Sequence, residues 1–203
     1  MNDLRVSTDV DIDVANRDKI LEHLEHIVAR IDQETGKPKK HNTGIYFQNI
    51  SRDPWTNMAN MDHKLAAVNG YFKIDFLNVH FYENIHNEDH LLRLMNKEPD
   101  WDLFLDAEIT DQLFHLNNYS HLLKKYKPKS IEQLAMILAI IRPSKAYLQD
   151  YSWKEIEKEV WVKNTEDKYH FKRGHAIAYG VAIVVNLNLL LEANFMKSLN
   201  LTS

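Results

Sequence analysis

The sequence predicts an α+β fold, with a small sheet over residues 1–85 followed by a helical region over residues 86–203. Three observations carry the prediction. In Asp9-Val10-Asp11-Ile12-Asp13-Val14, three carboxylates alternate with three β-branched residues, which is the period of a strand. In Gly70-Tyr71-Phe72-Lys73-Ile74-Asp75-Phe76-Leu77, the residues Phe72, Ile74 and Phe76 alternate with Tyr71, Lys73, Asp75 and Leu77 in the same way. From His86 onward, apolar residues recur at helical spacing.

Taken in order, the first strand presents Val10, Ile12 and Val14 to a core and Asp9, Asp11 and Asp13 to the opposite face. Asn16 is a candidate cap for a helix from Arg17 to Glu34, with Ile20, Leu24, Ile27 and Ile31 on one side and Gly36 and Pro38 at its end. Lys37-Pro38-Lys39-Lys40-His41-Asn42 reads as a basic loop, and residues 43–50 as a short strand. Residues 51–68 are less regular and allow one short helix, and the strand at 70–77 comes next. A helix is predicted from His86, another over Leu113 to Lys127 ending in a basic turn, and a third over Ile131 to Ile141. Ser130 and Gln133 form a capping-box pattern for the third, and Arg142-Pro143 stops it. A polar helix is expected around Ser152 to Val162. The apolar run from Ala176 to Leu191 is short for a membrane span and contains Gly180, Asn186 and Asn188, so a buried helix is expected.

Composition is ordinary for a globular protein, and the absence of cysteine excludes disulfides and cysteine-based zinc sites. No apolar stretch comes after Met1, so no signal peptide is expected and the cytoplasm is the predicted location. Charge is uneven. Residues 1–120 sum to -9 and residues 121–203 to +5. The imbalance suits an acidic metal-binding half and a basic half facing phosphates, and equally two halves that attract each other.

Two readings stand for the acidic strand. It is a solvated edge, or it supplies paired carboxylates to a divalent metal site for phosphoryl transfer. If the strands at 9–14 and 70–77 are neighbours, Asp75 joins Asp11 and Asp13 at one point. His23 with His26, and His86 with His90 and Glu83, have spacings that a metal can use, although solvated helix faces explain both.

Six stretches also line up, in order, with one family. Asp9 to Val14 followed by Arg17-Asp18 resembles P-D-F-D-x-D-F…R-D. His41-Asn42-Thr43-Gly44-Ile45 is similar to H-x-x-G-V, and Lys73-Ile74-Asp75-Phe76-Leu77 to K-F-D-F-L-G. Leu113-Phe114-His115-Leu116 resembles L-F-Q-L-E-S, and Leu134 to Pro143 a run ending A-L-x-R-P-G. Phe171-Lys172-Arg173-Gly174-His175-Ala176 resembles F-N-K-S-H-A. These are motifs of the catalytic alpha subunit of bacterial DNA polymerase III, the C-family replicative polymerases. The chain departs from them at Asn117, Ser144 and Gly174, is several times shorter than family members, and has no glycine-serine-rich palm segment.

The resemblance implies a palm-like nucleotidyltransferase sheet at 1–85 and a fingers-like region at 86–203. It implies catalytic, metal-binding aspartates at Asp11, Asp13 and Asp75, holding two Mg²⁺ ions with Mn²⁺ as a substitute. Lys73, Arg142, Lys172, Arg173 and His175 become nucleotide- or DNA-binding positions. The implied partners are primer-template DNA and deoxynucleoside triphosphates, with a second polymerase or replication-protein chain as a further partner and no membrane. The implied activity is template-directed DNA synthesis. A non-catalytic derivative that binds DNA or replication proteins, and one chain of a split polymerase, stand as alternatives.

Overall fold

The computed structural model describes residues 10–33, 36–163 and 171–200. Asp9, Tyr169 and His170 lie outside the described residues. The fold is α+β, and the chain divides into two compact units, Met1–Glu83 and Asn84–Ser203.

The first unit holds a mixed five-stranded sheet. Its strands are β1 (Val10–Val14), β2 (Ile27–Asp32), β3 (Pro38–Tyr46), β4 (Met58–Asp62) and β5 (Ile74–Asn78), in the spatial order β1-β5-β3-β2-β4. β1 runs parallel to β5, β5 antiparallel to β3, β3 antiparallel to β2, and β2 parallel to β4. Two short helices, α1 (Arg17–Leu21) and α2 (His63–Val68), pack on the sheet. Because neighbours on a strand face opposite ways, Ile45 and Tyr46 of β3 enter two different cores. Ile45 joins Val14, Leu21 and Phe76, with Ile74 alongside. Tyr46 joins Ile27, Ala29, Ile50, Ala59 and Ala66, with Met61 and Tyr71 alongside.

The helix predicted from Arg17 to Glu34 is corrected. Asn16 does cap it, accepting from the Lys19 N–H at 3.1 Å, but the helix ends at Leu21 and residues from Ile27 form β2. Ile27, Ala29 and Ile31 satisfy a period of two as well as Ile20, Leu24, Ile27 and Ile31 satisfy a helix, and pairing with β3 and β4 decides between them. The basic segment expected as a loop is the first half of β3, which ends at Tyr46 rather than Ile50. The expected apolar face of β1 is only partly covered. Val14 is buried, but Val10 and Ile12 are 38% and 37% exposed, as befits the outermost strand of the sheet.

The second unit is helical, with α3 (Glu88–Asn96), α4 (Ala107–Thr110), α5 (Ser120–Tyr126), α6 (Ile131–Ile140), α7 (Trp153–Glu159) and α8 (Arg173–Asn200). Ser130 caps α6 by accepting from Gln133 N–H at 3.2 Å, and Ser152 with Glu155 forms a full capping box on α7. The helix predicted over Leu113 to Lys127 starts only at Ser120, because His115 and Asn118 adopt left-handed backbone with φ of 62° and 70°. α8 is longer than the apolar run predicted, and residues 173–195 are long and apolar enough to cross a membrane by length and composition alone. Residues 182–189 are all buried, and two of them are asparagines tied to the protein's own backbone. Asn186 Oδ1 accepts from Phe114 N–H at 2.9 Å, and Asn188 Nδ2 donates to Leu94 and Lys97 carbonyls at 3.0 and 2.9 Å. These bonds seat α8 against α3 and the 113–119 turn.

Candidate functional site

The parallel pairing of β1 and β5 sets Asp11 directly opposite Asp75 and Asp13 opposite Leu77. Residues paired across neighbouring strands share a face, and strands lie about 4.8 Å apart. Asp11, Asp13 and Asp75 therefore sit on one face of two adjacent strands. Gly44 of β3 pairs with Asp75 from the other side, completing a row Asp11-Asp75-Gly44 across three strands. Asp75 is buried, at 9% exposure, so it is not a solvated sheet residue.

Both oxygens of Asp75 are engaged. Thr43 Oγ1 donates to Oδ1 at 2.7 Å, and Lys73 Nζ forms an ion pair with Oδ2. Gly44 makes room for that lysine, since a Cβ there would stand 2.6 Å from Lys73 Cδ and 2.9 Å from His41 Nδ1. His41 Nδ1 accepts from the Gly44 N–H at 2.9 Å and the Thr43 N–H at 3.3 Å. That nitrogen therefore carries a lone pair, and its 3.7 Å approach to Asp75 Oδ1 is not an ion pair. Burial, and then the Lys73 charge, lower the His41 pKa, consistent with a neutral ring. His63 of α2 packs edge-on against His41, with ring centroids 5.3 Å apart. The Tyr46 hydroxyl, buried and without a hydrogen-bond partner, is pushed up to about 12 by burial and by the nearby Asp62 and Asp75 charges.

Three carboxylates on one face suit a hard dication in donor type and backbone position. As arranged, however, Asp75 holds Lys73 instead. Among the described residues, no three His, Asp or Glu side chains are grouped closely enough to hold a metal ion. The histidine pairs offered by spacing do not form such groups. His23 and His26 follow α1, His23 exposed and His26 half-buried. His86 and His90 stack at 4.8 Å, and His90 Nε2 lies 3.2 Å from Glu192 Oε2.

In the helical unit, one of the predicted binding residues, Arg142, packs on Phe171. The Arg142 guanidinium lies over the Phe171 ring at 4.9 Å, beside the run Lys172 to His175 that opens α8. Phe171 stacks on Tyr179, which meets His115 edge-on at 5.0 Å. Burial and the Arg142 charge push the His115 pKa down to about 4, so this ring is neutral. Arg173 instead lines a cleft of about 220 Å³ with Glu132, Glu157, Trp161, Met136 and Ile177. Two carboxylates in that cleft make it a poor seat for a triphosphate. Lys172, Arg173 and His175 lie at the positive end of the helix macrodipole, where cations are disfavoured. Helix stability therefore does not explain them.

No protein-family model, curated protein or solved structure matches this chain. Thr43 and His63 were not singled out from sequence. Thr43 is a spacer inside the H-x-x-G pattern, and His63 sits in a stretch without clear periodicity.

Proposed function

We propose that the chain is a compact DNA polymerase III alpha-like protein whose activity is template-directed nucleotidyl transfer. The observation that supports this most is the register that sets Asp11 opposite Asp75, with Asp13 on the same face of β1. Those are the three positions to which the sequence resemblance assigns catalytic carboxylates. Asp11, Asp13 and Asp75 are the residues that would hold Mg²⁺ or Mn²⁺, which would activate a primer 3′-hydroxyl and neutralise phosphate charge. The chain's own contribution at this site is to hold the carboxylates in a row. The Thr43 hydroxyl fixes the Asp75 rotamer, and His41 folds the 41–44 segment that presents Thr43. In the helical unit, Arg142, Lys172 and His175 are candidates for phosphate or template contact, which would make DNA binding fall steeply with salt. Arg173 contributes less, because Glu132 and Glu157 share its cleft.

The test is extension of a labelled primer-template by the purified chain with all four deoxynucleotides and Mg²⁺ or Mn²⁺. The expected result is extension with either metal and none after chelation. A specific observation favours a second reading, since Lys73 and Thr43 close both oxygens of Asp75. On that reading the chain is a non-catalytic derivative that binds DNA or replication proteins, or one chain of a split polymerase. It predicts no extension by the chain alone, and partner or DNA binding that survives Asp11→Asn and Asp75→Asn.

A further inference from the structure

We infer that the cleft between residues 147–151 and α7 binds a quaternary ammonium group, with Tyr147 and Tyr151 as its aromatic walls. The inference stands apart from the nucleotidyl-transfer reading. Tyr147 lies on a 3-10 helix, Pro143–Asp150, and Tyr151 follows it directly. Their rings stand at 85° to each other with centroids 6.2 Å apart, and the two residues are 49% and 43% exposed. With Glu155, Lys158 and Glu159 they line one cleft of about 340 Å³. That is a size at which small ligands are held.

The arrangement selects for a cation with an apolar surface. A tyrosine ring is negative on its face, so a cation within about 6 Å of the centroid is attracted to it. Lys145 Nζ already lies 5.8 Å from the Tyr147 centroid. That ammonium is buried and donates to the Glu159 and Val162 carbonyls, so it is held by the interior. Glu155 and Glu159 are four residues apart on α7, hence on one face of it. They outnumber Lys158, which leaves the cleft negative. Bonds from the Ser152 hydroxyl and N–H both fall on Glu155 Oε2, leaving Oε1 for a ligand, and they hold this carboxyl below its usual range. A bare ammonium is strongly hydrated and gains little by leaving water. A quaternary ammonium carries its charge behind methyl groups, which can lie against tyrosine faces while the glutamates balance the charge.

The walls are set before a ligand arrives. The Tyr126 hydroxyl sits between the Gln149 and Tyr151 carbonyls, at 2.8 and 2.7 Å, and donates to them. Gln149 Nε2 donates to the Ile140 carbonyl at 2.8 Å, and Leu148 is fully buried. A segment held in this way loses little further freedom on binding.

The experiment is titration calorimetry of the purified full chain with tetramethylammonium chloride, and with ammonium chloride at matched ionic strength. The expected result is saturable binding of tetramethylammonium, at least about tenfold tighter than ammonium. Tyr147→Leu and Tyr151→Leu keep apolar bulk but lose the ring face, and each weakens binding about five- to tenfold. Tyr147→Phe keeps the face and stays within about twofold of wild type. Circular dichroism checks that each variant folds, and glutamine replaces leucine in any that does not. The same chemistry occurs in choline and in the trimethyllysine side chain. Tighter binding of choline, or of free trimethyllysine, supports the site and tells which source it fits. Equal affinity for ammonium and tetramethylammonium, affinity unchanged in both leucine variants, or no saturable binding of any probe overturns the proposal.

Discussion

In the helical unit, α6 buries seven consecutive residues, 134–140, and its Leu134, Ile137 and Leu138 belong to one continuous apolar core with Leu123, Leu148, Ile156, Ile183 and Leu187. In the sheet unit, β5 buries Asp75 and Phe76 side by side, and the apolar residues fall into two small clusters on opposite faces. The same chain thus uses buried area in two ways. One unit fills its interior mostly with hydrocarbon, and Thr110, Lys145, Asn186 and Asn188, which it also buries, are bonded to its own backbone. The other places a carboxylate, a lysine, a histidine and a threonine where hydrocarbon would stabilise it more. Buried polar groups are tolerated when they are paired, but they add less than apolar packing does. Stability alone does not explain the polar row, and the proposed function would give it a role.

The largest effect that separates the two units is expected from Ile137→Ala in the fully buried α6. A cavity in a continuous core costs about 2–5 kcal/mol, read as a drop in the urea midpoint, and a loss below ~1 kcal/mol would mean that this core is loosely packed. Next is Gly44→Ala in the sheet unit, where the new methyl group meets Lys73 and His41. The expected cost is about 1–3 kcal/mol, read as a drop in the urea midpoint. A loss below ~0.5 kcal/mol would mean that Lys73 and His41 move aside freely.

The third effect is a pH dependence that belongs to the helical unit. The His115 folded-state pKa, about 4, lies below the unfolded value near 6.5. As pH falls, the unfolded chain binds the proton first. The stabilisation is therefore complete above about pH 6.5 and is lost as pH falls toward 4. For a partly exposed ring this amounts to on the order of 1–2 kcal/mol. His115→Gln should flatten that part of the stability profile, and an unchanged slope would place the titration elsewhere. The smallest effect is expected from Ser130→Ala, which removes the α6 cap and costs about 1 kcal/mol. It should act on the helical unit's unfolding alone.

The two units were also unequally legible in the sequence. α6 could be read closely because Ser130, Gln133 and Pro143 mark its ends chemically and the apolar run between them is unbroken. The strands β1 and β5 could be read from alternation, which also gave their faces. The stretch 17–46 could not, because its isoleucines satisfy both periods and neither glycine nor proline separates α1 from β2. The long-range pairing of β2 with β3 and β4 decides it, and no local signal encodes that pairing. At the candidate site, the spacing of Asp11, Asp13 and Asp75 was visible, as was Lys73. Engagement of both Asp75 oxygens was not, because it depends on Thr43 arriving from β3. The break at His115 was hidden for a similar reason. Its left-handed backbone is held within a turn whose Phe114 N–H is bonded by Asn186, far along the chain in α8.

Whether Asp11 and Asp75 act as one set is tested most directly by single-turnover primer extension with wild type, Asp11→Asn, Asp75→Asn and the double variant. Residues that act as a unit have non-additive effects. The expected result is extension by wild type and an equally severe loss in both single variants, with no further loss in the double. Extension that persists in either single variant would show that the carboxylates do not form one catalytic set.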